Sequence, residues 1–247
     1  MASQGASPRR RSLHGQMLPG NLQVNELCPP DGDCLPEVLK LLSFNIQVGI
    51  NTQKYHHYLT RSWQHLLPAT GRHNILGQIG RVLSDFDLVA LQEVDGGSMR
   101  SGYINQVEHL AREGQFPFWY QQLNRNLGRF AQHSNGLLSR FAPDYLEDHK
   151  LPGVLPGRGA ILTSFGEGQN SLLVVMMHLA LSTRGRANQL AYIRERIADH
   201  QHVVLMGDMK IEQVEVLTQP ISDHLPVAMH IRLPPGLCAA SAGKSGN

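Results

Sequence analysis

An α/β layered fold is predicted by three features of this chain. Short apolar runs alternate with helical patterns along the whole body of the sequence. Some of these runs, such as Val203-Val204-Leu205-Met206, are apolar on both faces, as central strands covered from both sides must be. Polar groups then recur at or near the ends of the runs. In order, the strands are Leu39–Val48, Asp87–Gln92, Asn135–Ser139, Ala160–Phe165, Leu172–His178, Val203–Gly207 and Pro226–Leu233. Ile75, Ile79, Val82 and Leu83 recur at helical spacing and predict a helix over 73–84. Helices are also expected over Ile104–Arg112 and over Arg186–His200, where Leu190, Ile193 and Ile197 share a face. Two packed sheets with outer helices satisfy this pattern, and a doubly wound parallel sheet competes with it.

The chain has 247 residues, 41% of them hydrophobic, enough for one large core or two small ones. Residues 1–37 and 235–247 are small, polar and aperiodic and read as mobile tails, leaving 38–234 as the folded body. A net charge of +2 gives little support for avid binding to nucleic acid or membranes. Cys28, Cys34 and Cys238 are odd in number and lie near the termini, which argues against a disulfide framework or a zinc cluster. No apolar run approaches the ~20 residues of a membrane span. Arg9–Arg11 is followed by Ser12-Leu13-His14-Gly15-Gln16, a poor start for a secretory signal. The expected compartment is the cytoplasm, with a membrane-peripheral position open to a lipid substrate.

Five polar pieces occur in order: Ser43-Phe44-Asn45-Ile46, Leu91-Gln92-Glu93-Val94-Asp95, Met177-His178-Leu179, Met206-Gly207-Asp208-Met209 and Ser222-Asp223-His224-Leu225-Pro226. Taken singly, each has an ordinary structural role. A strand-end amide caps backbone, a Gly-Asp pair turns the chain, and a lone buried histidine is more often hydrogen-bonded than catalytic. A carboxylate ending a buried strand, as at Glu93, must be paired, hydrogen-bonded or metal-bound. Asp223 beside His224 sets a ligand next to a group that titrates near neutral pH.

Taken together, the ordered set resembles the endonuclease/exonuclease/phosphatase superfamily of metal-dependent hydrolases, including its bacterial stand-alone members. The resemblance covers about residues 39–233 and includes His133-Ser134-Asn135-Gly136-Leu137-Leu138-Ser139-Arg140 and Arg158-Gly159-Ala160-Ile161. It implies a four-layered α/β sandwich of two packed mixed sheets flanked by helices. It implies Mg²⁺ held by Glu93 with Asn45 and Asp223, and Mn²⁺ or Ca²⁺ able to substitute in binding. Asp208 would orient or deprotonate the attacking water, His178 and His224 would stabilise charge or move protons, and Asn135 would contact substrate. The reaction implied is hydrolysis of a phosphoester: nucleic acid, a phospholipid headgroup or a small phosphodiester.

Two departures stand out. The superfamily motif continues Gly-Asp-x-Asn, whereas Lys210 stands in the last position. An ammonium cannot accept the hydrogen bonds an amide can. Asp208 and Asp223 are only 15 residues apart, where a helix, a strand and an Asp orienting the final His are expected. The sandwich is therefore expected to lack part of one sheet between Lys210 and Val214. The competing function is a catalytically degenerate member that binds phosphate or a partner. A Ser-His-Asp acyl hydrolase fits poorly, because Ser222, Asp223 and His224 are contiguous and no Gly-x-Ser-x-Gly elbow occurs.

Overall fold

The computed structural model describes residues 22–24, 35–46, 73–126, 132–153, 157–166, 170–207 and 227–234. In chain order these form β1 (Leu22–Val24), β2 (Val38–Asn45), α1 (His73–Leu83), β3 (Leu88–Asp95), α2 (Gln106–Glu113), β4 (Phe118–Asn126), β5 (Gln132–Ser139) and β6 (Tyr145–Lys150). β7 (Gly159–Phe165), β8 (Leu172–His178), α3 (Thr183–Ile197), β9 (His202–Gly207) and β10 (Val227–Arg232) follow. A 3₁₀ turn, Met99–Ser101, sits between β3 and α2.

One sheet has six strands in the order β1-β4-β5-β3-β2-β10, and the other has four in the order β6-β7-β8-β9. Both are mixed. β2 pairs parallel with β3 and β8 parallel with β9, while the remaining neighbours are antiparallel. The doubly wound alternative is therefore not what the chain adopts.

Period-two alternation divides the core among three interfaces. Leu39, Leu41, Leu88, Ala90 and Leu137 of the larger sheet meet Leu146, Ile161, Val174 and Met176 of the smaller one. The opposite face of the larger sheet, including Leu42, Phe44, Val89, Leu91 and Leu138, packs on Ile79 and Leu83 of α1 and Val107 and Leu110 of α2. Leu173, Val175 and Met177 face outward from the smaller sheet and meet Ile193 of α3. Helix, sheet, sheet and helix form four layers.

Three strands were not anticipated from the sequence. β4 and β6 carry Gln121-Gln122-Leu123-Asn124 and Glu147-Asp148-His149, whose polar side chains mask the alternation. The structure buries Gln122, Glu147 and His149 in hydrogen-bonded networks, so polarity there does not mark a loop. Leu22–Val24, inside the segment expected to be a tail, pairs antiparallel with β4. α3 starts at Thr183, earlier than the apolar positions indicate, because Ser182 caps it by accepting a hydrogen bond from Gly185 N.

Arg140, just past β5, joins the two outer helices. Its Nε and Nη2 donate to Phe86 O and Ser84 O beyond α1, at 3.0 and 2.6 Å. Nη1 donates to Gln115 O beyond α2, and the guanidinium lies 4.8 Å from the Phe116 ring centroid. One cation thus satisfies carbonyls of the turns that follow both helices. No described helix is long and apolar enough to cross a membrane. Lys210–Val214, where the missing piece of sheet was expected, lies outside the described residues.

Gly207 ends β9 opposite Met177 with φ 154°. A Cβ there would stand 2.0 Å from Met177 O, a backbone atom that cannot move alone. Gly207→Ala is therefore expected to destabilise the protein by roughly 3 kcal/mol, combining overpacking with strain in φ. Urea unfolding monitored by circular dichroism would measure the loss; a change within experimental error would contradict this packing.

Candidate active site

The face between the sheets is apolar along most of its length and turns polar at one end. On β2 the inward positions run Leu39, Leu41, Ser43, Asn45, and on β8 they run Leu172, Val174, Met176, His178. β5 contributes Asn135 beyond Leu137, β4 contributes Gln122 beyond Tyr120, and β6 contributes Asp148 beyond Leu146. Strand direction brings these together: the C-terminal ends of β2, β3, β4, β6 and β8 lie beside the N-terminal ends of the antiparallel β5 and β7.

Glu93 reaches this mouth through a backbone irregularity. In the β3–β5 register Leu91 faces Gly136 and Val94 faces Ser134, so Gln92 and Glu93 together oppose the single residue Asn135. That is a β-bulge, and within it Glu93 has a positive φ of 54°. Without it, alternation would send Glu93 to the helix-covered face with Leu91. With it, Val94 takes the outer position and the Glu93 carboxylate faces His178 on the opposite sheet, Oε1 to Nε2 at 3.5 Å.

The Glu93 carboxyl is lowered from 4.5 to about 2. Its hydrogen bond with His178 lowers it most and burial opposes this, while the His178 charge, a hydrogen bond from Asn45 and the Arg158 charge lower it further. His178 Nε2 also touches Arg158 Nη1. A guanidinium only donates, so this contact needs the imidazole proton on Nδ1, whereas a bond to Glu93 needs it on Nε2. One nitrogen therefore stands between an anion and a cation and can satisfy one of them at a time. Glu93 is the open member, its side chain 34% exposed against 9% for His178.

Behind these residues a buried network ties the sheets together. Asn135 Nδ2 donates to Gln122 Oε1 at 2.9 Å. Gln122 Nε2 donates to His149 O and Ala160 O, both at 3.0 Å, and to Asp148 Oδ1. Tyr120 Oη donates to Asp148 Oδ2 at 2.8 Å. Gly159 is what permits this approach, since a Cβ there would stand 2.3 Å from Gln122 Oε1. Asn135 Oδ1 and Gln92 Oε1 are buried without a hydrogen-bond partner among the described residues.

Of the residues expected from sequence, the structure brings together Asn45, Glu93 and His178, with Asn135 directly behind Glu93. Asp208, Asp223 and His224 lie outside the described residues, as does Lys210. β9 ends at Gly207, one residue before Asp208, opposite Met177 and so one residue from His178. Sequence reasoning did not select Arg158 or Gln122 as site residues. The Arg158-Gly159 pair was the available signal for the first, while nothing in the polar run of β4 distinguished Gln122 from its neighbours.

Among the described residues no three His, Cys, Asp or Glu side chains form a metal cluster. What they do offer is a carboxylate held ionised and an adjacent amide, a pair of hard oxygen donors. Mg²⁺ commonly accepts one or two such ligands and keeps waters for the rest, so the donors present fit it.

The chain is thus a four-layered α/β sandwich with a carboxylate, an amide and an imidazole gathered between the ends of its sheets. The profile of the Endonuclease/Exonuclease/phosphatase family matches residues 42–209, and the chain belongs to that family. The matched stretch contains Asn45, Glu93, Asn135, His178 and Asp208 and stops before Asp223. Among solved structures, the endonuclease/exonuclease/phosphatase family protein from Leptotrichia buccalis C-1013-b is 13% identical with TM-score 0.50, over 70% of this chain and 68% of that one. Humanized D. rerio TDP2 is 14% identical with TM-score 0.46, over 72% of this chain and 65% of that chain's length. The human Nocturnin catalytic domain is 11% identical with TM-score 0.45, over 77% and 70%. No curated protein matches the chain.

The lowered Glu93 carboxyl has a consequence for acid stability. A carboxyl depressed on folding stabilises the fold fully above its ordinary value of 4.5, and that contribution is lost as pH falls through the folded value of about 2. Glu93→Gln is expected to flatten this part of the acid limb. Unfolding free energies across that interval would check it, and parallel curves for the two proteins would refute it.

Proposed function

We propose that this chain is a divalent-metal-dependent phosphoester hydrolase that acts by in-line attack of water on phosphorus. The observation that carries the reading is Glu93, turned by a bulge into the mouth between the sheets and held ionised there by His178 and Asn45. A structural carboxylate needs no such exposure, and a site for an oxygen-loving cation does. Membership of a family of nucleases and phosphatases supports the reaction class.

In this reading Glu93 and Asn45 hold Mg²⁺, with Asp223 as a further ligand and Mn²⁺ or Ca²⁺ able to bind in its place. Bound there, the ion would polarise a phosphoryl oxygen and offset charge developing on it. Asp208 orients the attacking water or takes its proton. His178, already between a carboxylate and a guanidinium, donates from Nε2 to a phosphoryl oxygen when Arg158 turns to the same anion. His224 serves the leaving oxygen. Asn135 is the substrate-side amide, buried behind Glu93, with an Oδ1 that has no hydrogen-bond partner among the described residues. The substrate is a phosphodiester from a nucleic acid, a phospholipid headgroup or a small molecule, met in the cytoplasm or at a membrane surface.

Lys210 and the 15-residue Asp208–Asp223 spacing favour a second reading, a member that binds the ion and phosphate without turnover. The two separate on one protein preparation. Mg²⁺-dependent hydrolysis of bis(p-nitrophenyl) phosphate is expected for the wild type, and Glu93→Gln is expected to lower it by at least ~10³-fold. Calorimetric titration with Ca²⁺ is expected to show binding that the variant loses. Binding without hydrolysis would select the second reading. Full activity in Glu93→Gln would sink the first.

A further inference from the structure

Beyond Glu93 the chain forms a loop held by hydrogen bonds to Asp95, on which two large side chains are left exposed. Asp95 is fully buried and organises the loop. Its Oδ1 accepts from Gly97 N, Ser98 N and Ser101 Oγ at 2.9, 2.7 and 3.0 Å, and its Oδ2 accepts from Ser98 Oγ at 2.7 Å. Burial pushes the Asp95 carboxyl up, but these bonds outweigh it and hold the group below its ordinary value. The base of the loop is closed by the Gly96–Asn105 bridge, and Asn105 in turn donates to Gln121 Oε1 and caps α2.

On this frame Met99 is 54% exposed and Tyr103 is 65% exposed. Tyr103 is also held at φ 64°, and its N donates to Ser98 O at 2.8 Å. A left-handed backbone on a bulky residue costs about 1–3 kcal/mol, a cost glycine would not carry. Burial of the ring does not offset that cost, because the ring is largely in solvent. The loop leaves β3 two residues after Glu93, at the end of the sandwich where the polar mouth opens. The fold thus keeps an exposed aromatic on a left-handed backbone at the same end of the sandwich as the Glu93 carboxylate.

We infer that Met99 and Tyr103 form a preformed rim of the substrate site that takes a flat aromatic group, the nucleobase of a nucleoside phosphodiester. This rests on the phosphoester hydrolase reading of the Glu93 site. A phenol ring carried on a hydrogen-bonded backbone offers an exposed face for stacking, and a thioether on the same loop can pack on the edge of an aromatic system. An acyl chain would instead need a longer apolar trough, and this loop presents only these two large apolar side chains exposed. Stacking needs no basic groove, which agrees with the modest net charge of +2.

The test compares two esters with one leaving group, thymidine 5′-(p-nitrophenyl phosphate) and methyl p-nitrophenyl phosphate. Tyr103→Ala is expected to lower kcat/KM about 10-fold on the nucleoside ester and to leave the methyl ester within about 2-fold, with Tyr103→Phe close to wild type on both. Tyr103→Gly is expected to lose the nucleoside preference while raising Tm, since it relieves the backbone; a merely structural tyrosine would lower Tm. Anisotropy with a short labelled oligothymidylate in Ca²⁺ reads binding without turnover, and Tyr103→Ala is expected to weaken it about 10-fold. Equal loss on both esters, or no loss on either, overturns the rim. So does a Tyr103-dependent affinity for phosphatidylcholine vesicles with none for the oligonucleotide. If the wild type hydrolyses neither ester but binds the oligonucleotide through Tyr103, the hydrolase reading fails and the rim stands. If it binds no oligonucleotide, the rim is refuted.

Discussion

The bulge at Gln92–Glu93 is the constraint on which the site depends. Two residues of β3 stand against Asn135 alone, and this single excess reverses which face the next side chain occupies. Its effect is an exchange: Val94 goes to the helix-covered core and Glu93 to the space between the sheets. A regular strand would bury the carboxylate among Leu91, Val107 and Leu110, where an unpaired charge would be prohibitively costly. The positive φ at Glu93 is a local cost that the pairing on either side of it sustains.

The same end of the sandwich meets a second demand. Polar groups must close the gap between the sheets without leaving buried donors unmatched. Gln122 meets it by donating across the interface to Asp148, His149 O and Ala160 O while accepting from Asn135. Gly159 allows the approach, and its neighbour Arg158 arrives at His178 as a result. The order of events in structural logic is therefore sheet packing first, side-chain placement second. Among the described residues, Oδ1 of Asn135 and Oε1 of Gln92 are where satisfaction is incomplete, beside the Glu93 carboxylate.

Much of this was legible in the sequence. The apolar strands β2, β3, β7, β8 and β9 announce themselves, because a strand buried on both faces leaves little room for polar residues. Asn45, Glu93 and His178 were legible as polar endings on such strands. β4 and β6 were not, since Gln122 is buried against Asp148, 26 residues away, and His149 against Tyr192, 43 residues away, while Glu147 is buried by pairing with His149 two positions along the same strand. The bulge was also hidden. Leu-Gln-Glu-Val-Asp reads as simple alternation, and only the register against β5 reveals the extra residue. Arg158 was visible as part of a motif, but its contact with His178 depends on the antiparallel pairing of β7 with β8.

The short interval between Asp208 and Asp223 bears on chemistry more than on folding. β9 is the edge of the four-stranded sheet and β10 the edge of the six-stranded one. Both neighbour β2, β9 across the interface and β10 by direct pairing, so the two edges lie on one side of the sandwich. Residues 208–226 are what joins them. At roughly 3.3 Å per extended residue that segment exceeds the span between neighbouring layers, which are ~10 Å apart. The connection is therefore long enough to reach from one edge to the other. In hydrolases that use a histidine, loss of the carboxylate that orients it lowers turnover by orders of magnitude. The three apolar interfaces are built from residues other than Asn45, Glu93 and His178, so the packing that holds the sandwich together is separate from the side chains of the polar mouth.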